Sequence, residues 1–246
     1  MHGTYNYGLV FVSYIVSVLG ALTALQLAGA VASARTQAQS FIRILSAAIA
    51  MGGGAIWSMH FIAMVAHQTP VFVTYDTGIT LFSAVVAIGA SAAGLAIAGL
   101  GHFNMARLVG GGLVMGIGVA SMHYVGMEAM LMSATIQYNM PIVALSVVIA
   151  VVAATAALWL AFNLKGLLQM LASAPIMGVA VCGMHYTGMA ATNYIPAEVI
   201  PEAGLLGAMS GHYLGISIFL VVGILLGVAL PFCYLWNREQ QMQGNH

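Results

Sequence analysis

Long apolar runs separated by short polar ones dominate this chain, and the spacing of the breaks predicts helices rather than strands. Seven runs are long enough to cross a bilayer, which takes about 20 residues: 8–32, 44–66, 78–100, 108–131, 142–164, 167–191 and 214–236. The first is too long for a secretory signal and lacks a cleavage pattern, so it stays as a helix. The expected fold is all-α and polytopic. Residues 1–236 form a seven-helix membrane domain, followed by a short tail over 237–246.

Composition sharpens this. Only 4% of the 246 residues are charged, 62% are apolar, and the mean hydropathy is +1.02. A soluble domain carries charge on roughly a quarter of its residues. The lipid bilayer is therefore the first partner, and the absence of a basic tract excludes nucleic acid. Cys182 and Cys233 suggest neither a disulfide framework nor a cysteine-only metal site. Arg35, Arg43, Arg107, Lys165 and Arg238 all fall on one side of the predicted spans, whereas Asp76, Glu198 and Glu202 fall on the other. Positive short loops stay cytoplasmic, so the amino terminus is expected outside and the carboxyl terminus inside.

An internal repeat runs through the spans. The strings "SMHFIAM" (58–64), "SMHYVGM" (121–127) and "GMHYTGM" (183–189) place His60, His123 and His185 at 63- and 62-residue intervals. Each interval covers two helices. Small residues flank each histidine: Gly53, Gly116 and Gly178 seven before it, and Ala63, Gly126 and Gly188 three after it. The odd spans repeat as well, in "YNYGLVFVS" (5–13), "YDTGITLFS" (75–83) and "YNMPIVALS" (138–146). Three tandem helix pairs plus an unpaired seventh helix follow, and a pseudo-threefold bundle brings the histidines together at one depth.

Ionisable residues inside a membrane are costly to bury and commonly functional. Neutral imidazole is the commonest metal ligand. Met64, Met127 and Met189, four residues after each histidine, can address the same space, while Met59, Met122 and Met184 are aimed less well. Imidazole with thioether and no carboxylate favours copper. The competing interpretation is a structural histidine with methionine as gap-filler. Ser13, Ser83 and Ser146 reach histidine depth and can take the second ring N–H or satisfy their own backbone. Asn6, Asp76 and Asn139 fit helix N-caps, and Tyr5, Tyr75 and Tyr138 fit interfacial aromatics. Glu128, Cys182, His2, His67 and His212 are peripheral candidates, while His102 and His246 lie on the cytoplasmic side and in the tail.

Taken together, the strings beginning at Met59, Met122 and Met184 resemble the MHYT family of bacterial integral-membrane sensor domains, over essentially the whole chain. The resemblance implies copper near the outer face, sensing of oxygen, carbon monoxide or nitric oxide, a bacterial inner-membrane location, and a cytoplasmic signalling output. It carries over Met59 and His60; Met122, His123 and Tyr124; Met184, His185, Tyr186 and Thr187, with Tyr124 and Tyr186 as supporting residues. Phe61 departs from the family's tyrosine, and threonine stands only at 187. A sensor without catalysis of its own is the leading expectation. A zinc-dependent membrane hydrolase using the three histidines and a haem protein are the alternatives.

Overall fold

The computed structural model describes residues 3–164 and 166–223, together with Gly227. Among the described residues, six helices are long and apolar enough to cross a membrane: α1 (Tyr7–Gly29), α2 (Gln37–Ala66), α3 (Thr77–Gly99), α4 (Met105–Glu128), α5 (Met140–Asn163) and α6 (Leu167–Ala190). The chain is a multi-pass membrane protein. A shorter apolar helix, α7 (Gly211–Gly223), covers the start of the expected seventh span; the rest of that span and the tail over 237–246 lie outside the described residues. Helix α2 begins at Gln37 rather than near 44. Its polar first turns carry little hydropathy, but Thr36 accepts from the Gln39 N–H and Gln39 reaches back to the Arg35 N–H, a reciprocal cap that starts a helix without any apolar signal.

The six long helices close into a ring. Each pair packs within itself (α1 on α2, α3 on α4, α5 on α6), and α2 then meets α3, α4 meets α5, and α6 returns to α1. The even helices meet one another at the centre. Helix α2 is the most enclosed, with 89% of its most apolar stretch buried.

At one end, every pair is fastened by a small antiparallel sheet that the hydropathy pattern does not reveal. Strand β1 (Thr4–Tyr5) pairs with β2 (His67–Gln68), β3 (Thr74–Asp76) with β4 (Met130–Leu131), and β5 (Ala134–Tyr138) with β6 (Thr192–Pro196). A seventh strand, β7 (Ala208–Ser210), joins β3 ahead of α7. The same backbone bond recurs in all three clips: the N–H of Asn6, Asp76 and Asn139 donates to the carbonyl of Ala66, Ala129 and Ala191, at 2.9, 2.8 and 2.8 Å. Asn6 and Asp76 also cap their helices, through Leu9 and Ile79. Asn139 makes no side-chain cap; Pro141 enters the first turn instead. At the opposite end, Arg43 donates to the Ala30 carbonyl and Arg107 to the Ile97 carbonyl, which satisfies acceptors that a helix end leaves open.

Nine residues of α2, Ile49–Trp57, form a π-helix. Its wider turn takes an extra residue, and this shifts the repeat. The sequence aligns Gly53 with Gly116 and Gly178, but the packing aligns Gly52. A Cβ on Gly52 would strike the backbone of Ala87 and Ile88 in α3, and one on Gly116 would strike Ala150 and Val151 in α5. One on Gly178 would meet Val18 in α1. These neighbours stand four and five residues after Ser83, Ser146 and Ser13. Gly53 meets only the tip of Ile88.

Candidate metal centre

His60, His123 and His185 are almost completely buried at the centre of the ring. Their ring centroids stand 5.0, 5.0 and 5.1 Å apart with planes crossed at 78–88°, close to threefold symmetry. The Nδ1 atoms point at one another: 3.0 Å separates His60 from His185 and 3.2 Å separates His123 from His60. One ligand atom from each histidine lies within 4.8 Å of the others.

This arrangement fits a metal ion. Bonds of about 2.0–2.1 Å to nitrogen at tetrahedral or trigonal angles set ligand nitrogens a little over 3 Å apart. Without a cation the cluster is poorly satisfied. A neutral imidazole has one N–H and one lone pair, so the three Nδ1 atoms can pair only by sharing one N–H between two lone pairs or one lone pair between two N–H groups at His60. Among the described residues no Nε2 atom of the three has a partner. A central ion takes all three lone pairs at once.

What surrounds the cluster is cyclic, each repeat leaning on the next. A Cβ on Gly126 would lie 2.4 Å from His60 Nε2, and one on Gly188 would lie 2.3 Å from His123 Nε2. The glycines three residues after the histidines are therefore the seats of neighbouring imidazoles. The residue after each histidine packs edge-on against the next clip tyrosine: Phe61 on Tyr75, Tyr124 on Tyr138, and Tyr186 on Tyr5, at 6.2, 5.5 and 5.6 Å. Tyr5, Tyr75 and Tyr138 thus form an aromatic roof against the residues that follow the histidines. Tyr194 stacks on His67 at the same end, with ring centroids 5.7 Å apart. Burial, then Tyr194 and Tyr186, pushes the Tyr5 phenol up to about 12, and burial holds His67 below its ordinary value, so this roof stays uncharged.

The serines do not reach the imidazoles. Ser13, Ser83 and Ser146 donate to the carbonyls of Val10, Thr80 and Val143 at 2.7, 2.7 and 2.8 Å. Their oxygens face aromatic side chains. Tyr124 shares a 2.6 Å bond with Ser146, and Tyr186 turns toward Ser13, its hydroxyl outside hydrogen-bond geometry. In the first repeat the missing hydroxyl at Phe61 is replaced from elsewhere, as Trp57 Nε1 donates to Ser83 at 3.0 Å. Thr187 is half-buried one residue beyond Tyr186.

All six candidate methionines, Met59, Met64, Met122, Met127, Met184 and Met189, are buried. A cavity of about 520 Å³ opens at the clip end beside Met64, His67 and Tyr75. Glu128, His102 and His212 are exposed, and Cys182 is half-buried outside the cluster. His2, His246 and Cys233 lie outside the described residues.

The sequence profile of the MHYT family, described as a bacterial signalling protein N-terminal repeat, matches residues 53–111 and 116–174. The chain is 39% identical over 240 residues to the bifunctional diguanylate cyclase/cyclic di-GMP phosphodiesterase MucR of Pseudomonas aeruginosa, covering 96% of this chain and 34% of that protein. It is 34% identical to the cyclic di-GMP phosphodiesterase NbdA of the same organism, over 98% of this chain and 31% of that protein. It is 30% identical to the signalling protein YkoW of Bacillus subtilis, over 90% and 28%. The chain spans about a third of the length of these relatives. No solved structure matches it.

Proposed function

The chain belongs to the MHYT family, and on that premise we propose that it is a membrane-embedded sensor that holds a copper ion between His60, His123 and His185. The observation that carries this reading is the convergence of three buried Nδ1 atoms with no partner other than one another. The six buried methionines of the strings make the surroundings soft and free of carboxylate, which supports copper over a hard cation. Met64, Met127 and Met189 are the further ligands of this proposal, with Met59, Met122 and Met184 behind them. When bound, copper supplies one-electron chemistry and affinity for a diatomic gas such as oxygen, carbon monoxide or nitric oxide.

The chain's own residues set the conditions. The glycine seats fix the ring orientations, Tyr124 and Tyr186 steady the histidine-bearing helices, and the uncharged tyrosine roof limits water. The clip end faces outward in this proposal and the arginine end faces the bacterial cytoplasm, following the charge distribution. Helix α7 is the seventh span and leads to a cytoplasmic signalling domain or partner, as the much longer relatives suggest. Catalysis belongs to that output rather than to this segment.

Zinc is the second reading, because three imidazoles alone suit it equally well. A hydrolase would also need a base, and Glu128 is exposed. The crowding of the Nδ1 atoms leaves no room for a porphyrin between them, which disfavours haem. Elemental analysis of purified protein, beside a variant with all three histidines replaced by asparagine, tests the proposal. Loss of about one equivalent of copper from the variant relative to the unaltered chain is the expected result; unchanged copper content rejects the site, and zinc in its place selects the second reading.

A further inference from the structure

The π-segment that displaces Gly53 from its expected partners also uncovers a second threefold set. With Gly52 as the equivalent of Gly116 and Gly178, the residue before each packing glycine is a methionine: Met51, Met115 and Met177. The sequence hides this, because Met51 stands nine residues before its histidine and the other two stand eight. All three are buried, at 2%, 1% and 5% exposure. All three line one cavity of about 70 Å³ between the helices, and Met184 also borders it. The set lies about 12 Å from the imidazoles along the helix axis, at 1.5 Å per residue.

We infer that Met51, Met115 and Met177 form a second metal site, a trigonal thioether site for monovalent copper. Alanine and other aliphatic side chains make up the remaining walls, so thioether sulfur is the only donor the side chains offer an ion there. Such a donor set excludes hard cations and favours Cu(I). A single positive charge is also far cheaper to bury here than a double one. Met184 links the two levels, since it borders the cavity and precedes His185 in the chain. This inference does not rest on the histidine site being occupied.

The test is anaerobic titration of the full chain in detergent with buffered Cu(I). The unaltered protein is expected to bind one equivalent more than the Met51→Leu/Met115→Leu/Met177→Leu variant, in which volume is nearly conserved. The variant lacking the three histidines is expected to keep one Cu(I), with only sulfur neighbours by X-ray absorption. Equal binding by the methionine variant and the unaltered protein overturns the inference and leaves the cavity a packing void. Loss of all Cu(I) from the histidine variant overturns it too. Should the triple variant fail to fold, the single Met115→Leu substitution decides: at least tenfold weaker binding of the second equivalent supports the site, and unchanged affinity refutes it. Failure of the histidine proposal reads differently, as a histidine variant that binds like the unaltered protein.

Discussion

Replacing Gly126 by alanine tests the geometry of the imidazole cluster without touching a candidate ligand. The new methyl carbon would stand 2.4 Å from His60 Nε2, 3.0 Å from its Cδ2 and 3.3 Å from the Phe61 ring. Ordinary contact begins near 3.4 Å, so the imidazole must retreat by about 1 Å or the helices must part. Metal–ligand distances tolerate only about 0.2 Å. A displacement of that size removes His60 from a shared ion. Disturbing a group that merely orients a ligand typically costs 10–100-fold in metal affinity, so losing the ligand should cost about 100-fold or more. If the helices part instead, overpacking should cost about 1–3 kcal/mol of stability. Competition titration with a chromophoric chelator reads the affinity, and thermal unfolding in detergent reads the stability. Gly183→Ala is the control, since a methyl group there meets nothing within 4 Å. Wild-type affinity and stability in Gly126→Ala would refute the seating of His60 on this glycine.

Three further outcomes follow from the packing. Gly116→Ala forces a methyl group to 2.4 Å from Val151 Cα in α5, so it should destabilise by about 1–3 kcal/mol or more, whereas Gly110→Ala, whose nearest neighbour is a side-chain tip at 4.0 Å, should be neutral or slightly stabilising in a thermal melt. Trp57→Phe removes the donor that serves Ser83 and the Thr80 carbonyl and should cost about 1 kcal/mol in the same assay. Asp76 accepts from the N–H groups of Ile79 and Gly204, which hold its carboxyl below the ordinary range. Its stabilisation is therefore present above the unfolded value near 3.9 and is lost as pH falls through the lower folded value. Melting curves across that acid range should show Asp76→Asn with a weaker pH dependence than the unaltered chain.

The first six spans and the meeting of the histidines were legible because both depend on coarse, repeated signals: long apolar runs and a fixed string. What stayed hidden depends on local geometry. The extra π-helical residue made Gly53 look like the partner of Gly116, although Gly52 makes the contact, and so concealed Met51. Two-residue strands such as Thr4–Tyr5 are too short to alternate visibly, so the clips and the aromatic partners of Tyr5, Tyr75 and Tyr138 stayed out of sight. The serines were placed at the right depth, but depth does not tell which neighbour a hydroxyl faces. Phe61 looked like a lost hydroxyl, and the compensating indole of Trp57 lies a turn away in sequence. Polar capping started α2 seven residues ahead of the apolar run.

Closure of the ring has a consequence for biosynthesis. Each string rests on the pair that follows it in the chain, except the last, whose Tyr186 must find Tyr5 and whose Gly178 must find Val18 near the beginning. A nascent polypeptide released after four helices therefore has two imidazoles and no third, and its first helix has no mate on its open side. The central pocket comes into being only when the sixth helix arrives to shut the circle.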